Sequence, residues 1–218
     1  MPKVKVPRKS TTIDMTAMCD VAFLLLSFFI LATKFKPSEA LEVKTPTSVN
    51  TKAAPEKDVV MITIDKEGKV YFSMSEKDKK EAVLETVLAS KNLQMSAEAK
   101  KIFGKESSFV GVPIANLPSY FGLSEEEAKK VALPGIPVKD SSNNELNDWL
   151  RAALSAYEGE KMNLLVKGDN ASQYGVFKNV INAFKKNDLL KFQMVTDPEG
   201  IPAGSELSKK QLKGEKLD

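Results

Sequence analysis

The chain has 218 residues, of which 42% are hydrophobic and 28% charged, and its formal net charge is only +3. This near balance does not indicate a nucleic acid or any other strongly acidic partner. The sequence contains no histidine and one cysteine, Cys19. It therefore excludes an intrachain disulfide, zinc sites built on histidine, and Ser-His-Asp or Cys-His nucleophiles within one chain.

The first predicted element is a transmembrane helix over residues 13–36, in the run "IDMTAMCDVAFLLLSFFILATKF". From Ile13 to Phe35 a helix is about 34 Å long, which matches a hydrocarbon core of about 30 Å and part of each interface. The alternative is a secretory signal peptide, because "PKVKVPRK" resembles a basic n-region. Two features oppose the signal peptide. No clear A-x-A cleavage site follows the run, and an acid at the start of the apolar region would have no use in a segment that is removed.

The flanks of this run predict its orientation. Basic residues precede it at positions 3, 5, 8 and 9, whereas only Lys34 and Lys36 follow it. Cytoplasmic flanks carry the excess of basic residues. We therefore expect residues 1–12 in the cytoplasm and most of the chain on the far side of the membrane.

Asp20 is the candidate functional residue, since it is a carboxylate inside the apolar run. Such an acid costs on the order of 3 kcal/mol in hydrocarbon, so it usually faces a partner or a water-filled path, where its pKa rises toward neutrality and it can carry ions. Ser27 and Thr33 are candidate polar neighbours on such a path, although Ser27 could equally bond its own backbone. Two alternatives remain for Asp20: it reaches the interface and sets helix depth, or it pairs with a basic residue of another subunit. Because one helix cannot hide this acid, we expect an oligomer or a partner complex.

Residues 37–57 form the next predicted segment, a linker rich in Pro, Thr, Ser and Lys. It should tether a mobile domain. Within it, one short stretch could pair as a strand with a sheet edge of this chain, of a second copy or of a partner: Leu41, Glu42, Val43 and Lys44.

A folded α+β domain is predicted over residues 58–197, with a sheet covered by two main helices on one face. "DVVMITIDKEGKVYFS" predicts a hairpin, and "SEKDKKEAVLETVLAS" a helix opened by a Ser75 to Asp78 capping box. Residues 91–143 have no long periodicity beyond one short helix capped at Ser124, and they look like an irregular insertion and a candidate partner surface. A helix, a strand, a second helix with Tyr174 facing inward, and a final strand follow. The tail, residues 198–218, is predicted to be disordered.

Three polar or aromatic positions in this domain have two interpretations each. Asp169 could bind a ligand, although an Asx turn or helix cap is favoured. Trp149 and Tyr157 could form a partner groove, although their helical spacing favours the core.

Two segments of the sequence resemble the ExbD/TolR family of biopolymer transport proteins. "IDMTAMCDVAFLLLSFFILAT" is similar to the family's membrane signature, in which Asp-Val precedes an apolar run, and "NLLVKGDNASQYGVFKNVINAFKKNDLLKFQMVTD" is similar to its final strand, helix and strand. Together with the predicted hairpin and first helix, the resemblance covers residues 1–90 and about 145–197. Ala17 departs from the family's usual proline, and residues 91–143 are absent from typical members.

The resemblance implies a role in energy coupling at the bacterial inner membrane. Asp20 aligns with the family's proton-binding aspartate, the chain would form a dimer inside a pentameric ExbB-like channel, and the periplasmic domain would act on a TonB-like protein. The segment "LEVKTPTS", residues 41–48, corresponds to the short strand that other members use for self-association or partner docking. No enzyme activity and no cofactor are implied, and neither the transported ion, proton or sodium, nor the receptor served is specified.

A different class of protein remains as an alternative. The chain could be a membrane-anchored structural protein whose periplasmic domain binds peptidoglycan or a fixed partner. In that case Asp20 would only position the helix.

Overall fold

The computed structural model describes residues 15–32, 41, 43–49, 53–105, 108–139, 143–200 and 205. The chain divides into two compact units, Met1–Ser38 and Glu39–Asp218. The described helices are α1 (Met15–Ala32), α2 (Lys77–Ser90), α3 (Ala97–Phe103), α4 (Leu117–Phe121), α5 (Glu125–Lys130), α6 (Leu146–Ala156) and α7 (Tyr174–Lys186). The described strands are β1 (Thr47–Ser48), β2 (Val59–Ile64), β3 (Val70–Met74), β4 (Phe109–Val110), β5 (Asn163–Gly168), β6 (Gln193–Val195) and β7 (Asp197–Pro198). The predicted cytoplasmic N-terminus, 1–12, and most of the predicted tail lie outside the described residues.

Helix α1 forms within the apolar run, and residues 13, 14 and 33–36 of the predicted span lie outside the described residues. Among the described residues, no helix combines the length and the apolar character needed to cross a membrane. The predicted span over 13–36 is therefore not found there: α1 has 18 residues.

The sheet of the second unit has the strand order β4-β3-β2-β5-β6. The predicted hairpin is confirmed, because β2 and β3 pair antiparallel, with Ile62 opposite Phe72. Its turn is held by Asp65, whose Oδ1 accepts hydrogen bonds from the amides of Glu67 and Lys69, each at 2.8 Å. Strands β5 and β6 extend the sheet in parallel on the other side of β2, which confirms the α+β class.

Three long helices pack on this sheet, rather than the two main helices expected. Helix α2 packs on α6, and α6 packs on α7. Trp149 of α6 is completely buried, and its ring lies 5.2 Å from that of Phe72 on β3. Tyr157 is 3% exposed, so both residues belong to the core, as the helical spacing favoured.

The predicted capping box of α2 is wrong. The helix begins after Glu76, and no side chain caps it. The Ser75 hydroxyl instead accepts a hydrogen bond of 2.9 Å from the amide of Val59. The spacing predicted that Ser75 caps α2, but its hydroxyl bonds to the start of β2 instead. The capped helix at Ser124 is confirmed, with a full capping box to Glu127.

Tyr174 is also wrongly predicted, since its side chain is 76% exposed rather than inward. It is the first residue of α7, and the first turn contacts the domain through Val176, which packs against the domain's core. Val180 and Phe184, further along the helix, are buried as expected.

Residues 91–143 are folded into the domain where the structure describes them. They form α3, β4, a short 3-10 helix at Ile114–Asn116, α4 and α5. Strand β4 is added to the sheet beside β3. Many of their side chains enter the common core, so the irregular insertion expected from the sequence is a packed part of this unit.

Lys80 joins this region to α2 from inside the protein. Its side chain is fully buried, and its Nζ donates hydrogen bonds to the carbonyl of Lys105 at 2.8 Å and to the carbonyl of Ser108 at 3.3 Å. Buried ammonium groups need such partners because desolvation is costly. These bonds attach the segment before β4 to α2.

Candidate functional site

Asp20 lies on α1, where the apolar part of the helix begins. It is the sixth residue of the helix, and no charged residue follows it before the helix ends at Ala32. Its side chain is exposed. The carboxylate is thus the only charged group among the described residues of this unit.

The apolar side chains around Asp20 are exposed on every side of α1. The large hydrophobic residues of this helix range from 54% exposed at Leu25 to 84% at Leu31. Apolar surface on this scale is unfavourable in water and marks a site that contacts lipid or other proteins.

Ser27 makes a local hydrogen bond on α1. Its hydroxyl donates to the backbone carbonyl of Leu24 at 2.9 Å, which is the local bond that the sequence left as an alternative. Thr33 lies outside the described residues. That these two residues face an ion path therefore stays a prediction.

The segment from Leu41 to Lys44 contacts the domain, although its described residues are not in a strand. Leu41 and Val43 are partly buried, and Glu42 lies outside the described residues. The Lys44 amide donates to Asp169 Oδ2 at 3.0 Å, and its carbonyl accepts from the Asn170 amide at 2.9 Å. A role of this segment in self-association stays a prediction.

Strand pairing begins three residues further on. Thr47 and Ser48 form β1, which pairs in parallel with β7. The predicted final strand is accordingly divided. Strand β6 belongs to the main sheet, and β7 pairs with the linker segment 43–49, which is called the tether below. Part of the predicted linker is therefore attached to the end of the domain.

Asp169 forms the junction between the tether and the strand β5. Its Oδ1 accepts a hydrogen bond of 2.8 Å from the amide of Ala171, which is an Asx turn. Together with the bond from the Lys44 amide, this interaction lowers the pKa of Asp169 below its ordinary value of 3.8. The Asx turn favoured by the sequence is confirmed, and the second bond joins segments far apart in the chain.

Sequence reasoning missed a group of polar residues that the fold brings together. Lys69, Lys139 and Lys178 line one groove of the domain, although they come from three separate segments. Only the spacing of Tyr174, Lys178 and Asn182, four residues apart on α7, could have indicated a shared helix face. No cluster of His, Cys, Asp or Glu that could hold a metal ion occurs in the described part of the chain.

The fold and the site define a class of protein in which an acid-bearing apolar helix precedes a tether and a small α+β domain. A comparison with family models matches residues 7–199 to the family described as "Biopolymer transport protein ExbD/TolR". The chain belongs to this family, because the match covers most of its length. Neither the curated proteins nor the solved structures that were compared gave a match.

Membership carries the general properties of the family. Its members take part in biopolymer transport, which is generally linked to the proton motive force. They are associated with the inner membrane and generally work with ExbB- or TolQ-type and TonB- or TolA-type partners. The family is transport-associated and non-enzymatic.

Proposed function

We propose that this chain is the ExbD-like subunit of an ExbB-ExbD type motor, in which Asp20 takes up and releases the coupling ion. The observation that carries the proposal is the single carboxylate of an otherwise uncharged apolar helix, in a chain of the ExbD/TolR family. The run from Ile13 to Phe35 would lie in the bacterial inner membrane, inside an ExbB-like pentameric channel and beside a second copy. The α+β domain would lie in the periplasm and act on a TonB-like protein to power transport across the outer membrane.

The energy available to such a subunit is sufficient for a conformational cycle. One charge crossing 100 mV releases about 2.3 kcal/mol, which is several times the thermal energy. Surrounding helices that exclude water would favour the neutral form of a carboxylate over its charged form. The apolar surface of α1 provides the contacts through which such helices would bind.

The test is the substitution Asp20→Asn, which removes the charge and keeps the size of the side chain. We expect transport that depends on the ion gradient to fall at least about tenfold, because the amide cannot titrate. The amount of complex that co-purifies with the channel protein should be unchanged. Asp14→Asn makes the same change six residues earlier and should retain transport.

The outcomes separate this proposal from the anchored structural protein. Normal transport in Asp20→Asn would contradict the motor mechanism. Loss of the complex itself would show that Asp20 holds the assembly together rather than coupling it to an ion. Collapsing the proton and sodium gradients separately, with selective ionophores, would identify the ion.

A further inference from the structure

A groove of about 890 Å³ lies on the surface of the α+β domain. Three segments form most of its walls, with Pro113 beside them: the β2–β3 turn, the 134–139 arm that precedes α6, and residues 173–182 at the start of α7. The lining includes Glu67, Lys69, Pro134, Lys139, Val176 and Lys178. Its volume is within the range of about 300–1,000 Å³ that is usual for binding sites.

The first wall of the groove, the β2–β3 turn, is held against α7 by a close approach. Gly68 has a φ of +79°, and a Cβ atom at this position would lie only 2.9 Å from Val176 Cγ2. A side chain here would separate the turn from the helix. Because Gly68 has no side chain, the β2–β3 turn can approach α7 and form this wall of the groove.

The second wall, the 134–139 arm, is fixed at both ends. The Ile136 amide donates to the carbonyl of Val70 on β3 at 2.8 Å. Asn179 of α7 donates through its Nδ2 to the carbonyls of Val138 and Lys139 at 3.0 and 2.8 Å. The groove is therefore preformed, which lowers the entropic cost of binding.

The charge of the groove is positive. Among the described residues of the lining, three are lysines and Glu67 is the one acidic residue. The Glu67 carboxylate lies 2.7 Å from Lys69 Nζ, so it neutralises that lysine. Lys139 and Lys178 are both exposed and give the groove an excess of positive charge, which is complementary to an anionic ligand.

An exposed aromatic residue lies outside the groove's lining, on the helix that carries Lys178. Tyr174 is 76% exposed and lies one helical turn before Lys178, on the same side of α7. Tyrosine is enriched at protein interfaces and among the residues that dominate their binding energy. The rest of the lining includes the aliphatic surfaces of three prolines and Val176, which suit the side chains of an extended peptide.

We propose that this groove binds an acidic, extended segment of a partner protein. Lys139 and Lys178 pair with its carboxylates, and Tyr174 packs on the part of it that leaves the groove. The chain's own C-terminal residues, 201–218, are a poor ligand because they carry four lysines against three acidic residues. The proposal does not depend on ion coupling by Asp20, since the groove lies entirely in the second unit.

The test measures binding of a dye-labelled peptide of alternating glutamate and valine to the full-length chain in nonionic detergent. We expect the double variant Lys139→Glu/Lys178→Glu to weaken binding at least about tenfold, and Tyr174→Ala to weaken it about threefold. The double variant Lys101→Glu/Lys191→Glu changes the net charge equally at exposed positions outside the groove and should bind as the wild type does. Circular dichroism checks that each variant is folded.

Three results would overturn the proposal. The first is equal weakening by the two double variants, which would show attraction to net charge alone. The second is equal binding of a glutamine-valine peptide. The third is binding of polyphosphate or of a soluble peptidoglycan fragment at the groove lysines without binding of the acidic peptide.

Discussion

Gly68 and Gly175 lie on the β2–β3 turn and on α7, and their surroundings differ. Gly68 requires a positive φ, and its missing side chain makes room for Val176. Gly175 lies in the first turn of α7 and has open space around it, since nothing lies within 4 Å of a Cβ built there. The two glycines are therefore expected to respond in opposite ways to the same substitution.

We expect Gly68→Ala to lower the free energy of unfolding by about 1–3 kcal/mol, because alanine is strained at positive φ and would collide with Val176. Gly175→Ala should raise it by about 0.5–1 kcal/mol, because alanine favours the helix. Urea denaturation of both variants would measure the difference. Equal effects of the two substitutions would contradict this account of the turn.

At the scale of elements, the attachment of the tether depends on main-chain bonds and on one carboxylate. Strand β1 pairs with β7, and the Lys44 amide bonds to Asp169. Because these bonds favour the ionised form, the pKa of Asp169 is lowered from 3.8. A lowered pKa means that the stabilisation is complete above pH 3.8 and is lost as the pH falls through the depressed value.

The prediction for this element is that the amide signals of Lys44 and Ala171, followed by nuclear magnetic resonance, titrate with a midpoint below pH 3.8. Asp169→Ala should speed hydrogen exchange in residues 43–48 severalfold while leaving the core strands protected. Glu158→Ala, which removes an exposed carboxylate elsewhere, is the control and should change neither. A midpoint at or above 3.8 would show that the carboxylate does not hold the tether.

At the scale of the whole molecule, the two units differ in how they are stabilised. Among the described residues, the buried core of the second unit extends from Val60 to Phe184, and Leu189 and Phe192 pack against it. The first unit contains a helix whose large apolar side chains are exposed. The second unit therefore has what it needs to fold alone, whereas the first needs surroundings that cover it.

We expect a chain beginning at Glu39 to unfold in one cooperative thermal transition, since it keeps the whole core and the tether attachment. A chain beginning at Asp58 lacks β1 and the Lys44 contacts, and its Tm should be a few degrees lower. Circular dichroism during heating measures both. Loss of the cooperative transition in the longer chain would show that the first unit is needed for folding.

The sequence by itself determined the elements whose causes are local. The hairpin of β2 and β3, the capping box at Ser124 and the Asx turn at Asp169 each depend on residues a few positions apart. The apolar face of α6 likewise predicted the burial of Trp149. The acid in the apolar run at Asp20 was also read directly from the sequence, together with the family it indicates.

Only the tertiary structure decided the features that join distant segments. Ser75 bonds to β2 rather than capping α2, and Tyr174 is exposed because the first turn of α7 meets the domain through a different residue. Lys44 and Asp169, which form the tether contact, are 125 positions apart. The groove lysines come from three segments in the same way. Local periodicity carries no information on such contacts, because they depend on which surfaces the folded sheet brings together.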